Sequence, residues 1–428
     1  MIWIKAASPP RVHPARMDKP AVPTQPIPTL SPSLLATAPH RLMFFVGTSN
    51  LLLAMLWWAT WLAAARWPLF AMPQPTPYAG WLHAFVMQYQ VFPSFIFGFL
   101  LTTFPRWTGQ PDFDRWRYLP VGIGIFGGQL ATLLGALGWE AGIVVGLLMT
   151  IGGWSAGLAT LAPLLWREKG TTWHARSCFA ALVLGYVGLI GFLVFVLGGS
   201  PLWVFASIKL GTFGLLLPIY MTVAHRMFPF FAGGVVPGYT PWRPLWLLAV
   251  FWPLCLAHLL LELTHAYAWA WLVDVPLLAL TGTMLWRWWP RGPKPGLLLV
   301  LFLGLAWLPL AFWLYSTQSI AYALTGVYWL GRGPAHALFV GFFGSIMIAM
   351  VTRVTQGHSG RPLVMPKVAW FAFVTIQCVA LMRVGAELAT DAGAWQALAA
   401  CGWLVAFAPW LLRIGRIYLS PRADGKPG

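Results

Sequence analysis

Residues 98–111 read GFLLTTFPRWTGQP, and residues 347–362 read MIAMVTRVTQGHSGRP. In each, an apolar run stops abruptly on threonines, an arginine, a glycine and a proline. About 20 apolar residues in a row suffice for an α-helix to cross a bilayer. Outward from these two stretches, such runs succeed one another near 42–65, 79–104, 118–138, 141–165, 178–198, 202–224, 245–264, 266–289, 296–316, 335–352, 367–388 and 394–414. A short outer helix is expected over 317–334. The spacing predicts an all-α fold, a polytopic membrane protein of about twelve transmembrane helices.

Composition agrees. The chain has 428 residues, 59% hydrophobic and 9% charged, whereas soluble domains carry about 25% charged residues. Its solvent is therefore lipid, and 28 tryptophans suit the headgroup boundary. The net charge of +17 is spread over loops between apolar runs, which excludes a nucleic-acid partner. With both ends inside, nearly every Lys and Arg falls in an inner loop or a tail, as the positive-inside rule requires. Only Arg66, Lys209, Arg332 and Arg383 fall elsewhere. The organisation expected is a proline-rich basic cytoplasmic tail over 1–41, a twelve-helix domain over 42–416 and a short basic tail over 417–428. The four cysteines lie in apolar runs without a CxxC pair, which speaks against disulfides or a structural zinc.

Polar residues in lipid are costly, so those within or capping the spans are the site candidates. His83 opens the second span and His336 the tenth. Both spans enter from the outer face, so the two imidazoles share one depth. Paired imidazoles from separate helices suit the axial positions of a haem iron; interfacial histidines bonded to their neighbours are the plainer alternative. In HLLLELTH (258–265), His258, Glu262 and His265 follow at i, i+4 and i+7, one helical face and a candidate metal site. An ordinary polar helix end is the alternative there. The inner ends carry a polar cluster of structural or gating importance: Arg106, Trp107, Thr108 and Gly109; His225 and Arg226; Arg353, His358 and Arg361. Arginine at a last turn complements the helix dipole. The three helices that end this way are four apart, suggesting three four-helix units.

These phrases carry a resemblance. GFLLTTFPRWTGQP, HRMFPFF (225–231) and HALFVGFFGSIMIAMVTRVTQGHSGRP (336–362) resemble the signatures of the NnrS family. Its members are bacterial inner-membrane proteins that contain haem and copper and are linked to the nitric oxide response. The resemblance implies haem b as cofactor, with nitric oxide or an electron donor as partner. The family's early helix has a Trp-His-Ala-His-Glu-Met type phrase, and His83 keeps its distance to Gly98. Phe85 and Val86 stand where the second His and the Glu would be, and LAWLPLAFWLYS (305–316) has no histidine. The chain thus resembles a divergent member, in which haem is implied more strongly than copper. The twelve-helix pattern also resembles the catalytic subunit of haem–copper oxidases, whose haem ligands lie on helices 2 and 10. That likeness implies His83 and His336 as axial ligands; Arg332, by its place on the outer side, is the candidate propionate partner. From the residues alone, a twelve-helix secondary transporter of a small solute stays open, with Pro218, Pro253 and Pro309 breaking helices at a substrate site. Whether the chain is an enzyme also stays open.

Overall fold

The computed structural model describes residues 30–168 and 172–425. Most of the proline-rich tail, residues 1–29, lies outside these limits. Among the described residues every regular element is helical, and eleven helices are long and apolar enough to cross a membrane. They are α1 (Pro39–Arg66), α2 (Ala79–Trp107), α3 (Arg115–Ala136), α4 (Gly142–Arg167), α5 (Trp173–Val196), α6 (Pro201–Gly233), α7 (Trp246–Leu263), α9 (Gly296–Thr325), α10 (Gly333–His358), α11 (Lys367–Leu388) and α12 (Ala392–Tyr418). The twelfth expected span is the helix α8 (Trp271–Trp288), of 18 residues. It is too polar to meet the same standard because Asp274 and Arg287 both lie in it. The short outer helix expected over 317–334 does not form. Nothing breaks α9 until Gly326, whose φ of 70° ends the helix in a left-handed turn. Pro253 and Pro309 lie inside helices that continue through them.

Apolar faces decide the packing, and two devices shape it. First, α3 and α4 form a close hairpin along matched glycines, the small-residue contact that lets two membrane helices approach. A Cβ on Gly124 would stand 2.5 Å from the Gly153 Cα. The bundle closes on itself, because α12 packs against both α1 and α11. There the buried Arg41 guanidinium donates to the carbonyls of Tyr418 and Ser420, at 3.4 and 3.0 Å, at the carboxyl end of α12. A cation at that end offsets the helix dipole.

Second, α2, α6 and α10 each contain a π-helical turn: Val86–Val91, Leu210–Leu216 and Ala337–Phe343. Such turns disturb the regular backbone pairing and in lipid need compensating partners. In α2 these are supplied. Trp154 Nε1 donates to the Tyr89 carbonyl at 3.0 Å, and Asn50 Nδ2 and Ser94 Oγ donate to the Gln90 carbonyl at 3.3 and 2.7 Å. Past the turns, the three helices present the same i, i+1, i+4, i+5 stripe to one shared space: Phe95, Ile96, Phe99 and Leu100; Ile219, Tyr220, Val223 and Ala224; Ile346, Met347, Met350 and Val351. The three helices that stand four apart in the chain thus share one pattern of turn and stripe.

Candidate functional site

Above the stripes lies a cavity of about 390 Å³, within the size range of small-molecule and cofactor pockets. It is bordered by the starts of α2, α10 and α12 and the ends of α1 and α11, so it sits toward one end of the bundle. His83 and His336 both line it, with Arg332, Arg383 and Lys209. The pair read from the sequence is therefore brought to one chamber by two different helices.

Each imidazole is held in a set orientation. The His83 ring stacks on Trp58, with centroids 4.3 Å apart and planes 6° apart, and Trp58 stacks in turn on Trp61. Its Nδ1 is buried and has no protein partner. His336 Nδ1–H donates to the Arg332 carbonyl at 2.9 Å, one turn back. That bond fixes the tautomer and leaves Nε2 with its lone pair. Trp81, Trp403, Phe92 and Phe213 supply flat apolar walls.

The cations come from three elements. Arg332 precedes α10, and the preceding Gly331 has a φ of 46°, a conformation that suits glycine. A Cβ on Gly331 would also collide with the Glu387 carboxylate. Arg383 of α11 donates to Glu387 Oε1 at 2.6 Å, and both side chains are largely buried. Both arginines line the same cavity as the two histidines. Lys209 stands ten positions before Ile219, as His336 stands ten before Ile346, so it holds on α6 the place that His336 holds on α10. Arg383 and Lys209 are two of the four basic residues that charge sorting leaves unexplained. Their presence inside apolar runs is the signal for both.

The HLLLELTH stretch folds differently from expectation. His258 and Glu262 are buried together, but α7 ends at Leu263 and His265 turns away with a φ of 56°. Its ring bonds the Tyr267 hydroxyl at 2.7 Å. The third partner is instead Asp274 of α8, which accepts from His258 Nδ1 at 2.6 Å. His258 Nε2 approaches Glu262 Oε1 at 3.5 Å, and Glu262 Oε2 pairs with Lys209 Nζ at 2.7 Å. The result is a buried chain of polar side chains, Asp274–His258–Glu262–Lys209, that ends in the cavity wall. Among the described residues no group of three His, Cys, Asp or Glu side chains is placed to hold a metal ion.

The inner residues resolve into separate contacts. Arg226 lies over the Trp107 ring at 4.7 Å and Arg353 over Phe231 at 3.9 Å. Thr108 Oγ1 donates to the Phe104 carbonyl at 2.8 Å, and Gly109 takes the left-handed turn after it. Arg106 is exposed, 3.8 Å from Asp112. His225 Nε2–H donates to the Pro244 carbonyl at 3.1 Å, so its Nδ1 accepts from His174 Nε2–H at 2.9 Å. His358 packs on His40, with ring centroids 4.1 Å apart, and Arg361 keeps a buried, unpartnered Nη1. The sequence reading assigns His174 to a loop and His40 to the tail. Both belong to first turns of spans, α5 and α1.

The model of a family described as NnrS protein matches residues 34–422, nearly the whole chain. No curated protein matches the sequence closely enough to count as a relative.

Proposed function

From the premise that the chain belongs to the NnrS family, we propose that it is a haem-binding protein of the bacterial inner membrane that takes part in the response to nitric oxide. In this reading His83 and His336 would hold the haem iron. The observation that carries it is their meeting in one cavity of about 390 Å³ with an imidazole nitrogen left over on each.

The chain's own residues fit such a group. His336 is anchored through Nδ1–H, which raises the basicity of the nitrogen it presents. Stacking on Trp58 restrains His83 from rotating. Arg332 and Arg383 offer guanidinium groups to carboxylates, a pairing for which their planar donor set is suited. Glu387 holds Arg383 ready without any bound partner. When bound, haem would supply an iron centre able to bind nitric oxide or pass an electron. In this reading the ends bearing Arg106, Arg226 and Arg353 face the cytoplasm and the cavity lies in the outer half.

A reduced-minus-oxidised absorption spectrum of the detergent-purified protein tests the reading. We expect a b-type signal that is lost in His83→Ala and in His336→Ala. A colourless wild-type protein after expression with ample haem would overturn it and favour transport of a small solute through the same cavity.

A further inference from the structure

Two buried carboxylates and a histidine meet beside the cavity, on helices where ionisable side chains are costly and mark functional sites. The side chain of Asp274 is 0% exposed, that of His258 1%, that of Glu262 4% and that of Lys209, which lines the cavity, 23%. Exposure thus rises along the chain toward the cavity.

The bonding pattern leaves one position for a proton. His258 Nδ1–H donates to Asp274 Oδ1 at 2.6 Å, so in the neutral ring Nε2 carries a lone pair. That nitrogen has no hydrogen-bond partner and stands 3.5 Å from Glu262 Oε1, which sets two acceptors against each other in a buried place. A proton on Nε2 turns this approach into a charge-assisted hydrogen bond. Lys209 Nζ lies 2.7 Å from Glu262 Oε2, which completes a path from the cavity. The other titratable groups toward this end of the neighbouring elements are Cys255 of α7, Tyr315 and Tyr322 of α9, and His265, Tyr267 and Tyr328 in the turns. Tyr315 meets the His258 ring edge-on at 5.2 Å, while His265 bonds the Tyr267 hydroxyl and Tyr328 packs on Tyr267.

Phe213 sets the distance to the cavity. Its ring centroid lies 3.9 Å from that of His258, and it is itself part of the cavity wall. A unit charge roughly 10 Å away, at an effective dielectric of about 20, shifts a proton equilibrium on the order of tenfold.

We propose that His258, held between Asp274 and Glu262, is a one-proton site that fills through Lys209 when an electron enters the cavity and empties when the electron leaves. The proposal rests on the haem reading, which places the electron there. An external one-electron reductant supplies the electron and solvent the proton. Lys209 passes a proton to Glu262 Oε2 and regains one from the cavity side. Rotation of the carboxyl about its last torsion brings that proton to Nε2. In sum, one N–H bond forms at Nε2 and one O–H bond of hydronium breaks.

Redox titration of the purified full chain, followed by its haem absorption over about pH 5 to 10, tests the site. One proton per electron lowers the midpoint potential by about 59 mV for each pH unit, a tenfold change. At its steepest the wild-type slope should reach at least half of that. In Glu262→Gln the amide N–H satisfies Nε2 directly, so the slope should drop at least twofold while the haem bands stay in place. Lys209→Met/Glu262→Gln, which leaves no carboxylate without its lysine, should do the same and serves where the single variant does not fold. A flat potential in a haem-bearing wild type, or an undiminished slope in either folded variant, would overturn the proposal and leave the haem reading standing. A wild-type protein without haem would overturn both, so the absorption spectrum tells the two failures apart.

Discussion

Replacing Lys209 by methionine tests the buried charge chain directly. Lys209 Nζ lies 2.7 Å from Glu262 Oε2, and the Glu262 side chain is only 4% exposed. At an effective dielectric of 20, two unit charges at that separation attract by about 6 kcal/mol. Removing one partner of a buried pair costs about 3–5 kcal/mol in practice, because the other charge stays behind. His258 remains 3.5 Å from the other oxygen, which offsets part of the loss. We expect Lys209→Met to cost about 3 kcal/mol in reversible unfolding measured in detergent. The exposed pair of Arg66 and Asp391 sets the contrast, since solvent screens a pair of that kind. In the double variant Lys209→Met/Glu262→Gln the orphaned carboxylate is gone, so more than half of the loss should return. A loss below about 1 kcal/mol, or a double variant that simply adds the two single effects, would refute the chain as an energetic unit.

Other consequences are as specific. Gly124→Val pushes a side chain into the backbone of α4, 2.5 Å from the Gly153 Cα; we expect a loss of about 2–3 kcal/mol by thermal melting, and an unchanged melting temperature would contradict the hairpin contact. Hydrogen bonds from Arg66 hold the Asp391 carboxyl down to about 2. A depressed carboxylate pKa adds stability above its unfolded value that is lost as pH falls through the folded one. Asp391→Asn should therefore flatten the stability profile between the ordinary carboxylate range and pH about 2, and an unaltered acid limb would rule the contact out. Arg226→Met removes the cation over Trp107 and should cost about 0.5–2 kcal/mol, while Trp107→Leu in the same background should cost little more. Additive losses would show that the two side chains do not interact.

How much was legible in the sequence follows from the range of the forces involved. Hydropathy and charge act along a few turns of chain, so the existence of the spans, the all-helical class and the pairing of His83 with His336 could be read from local runs. Those two histidines each open a span, and a shared depth needs no knowledge of packing. Lys209 and Arg383 were visible as misfits within apolar runs, but nothing local says where a misfit points. Asp274 passed unnoticed within a run, although it supplies the partner that His265 does not.

What the sequence by itself determined is therefore the apolar solvent and the helical elements, because hydropathy is set residue by residue. Only the tertiary structure decided which of them meet. His258 finds Asp274 across two helices, and an end to α7 at Leu263 removes His265 from the face it was expected to share. The π-turns in α2, α6 and α10 change the angular position of every later residue, so a periodicity of 3.6 cannot foretell the stripes that the three helices turn toward one another. The phrase GFLLTTFPRWTGQP marks one end of its helix, while the cavity lies toward the other, where helices distant in sequence are brought together.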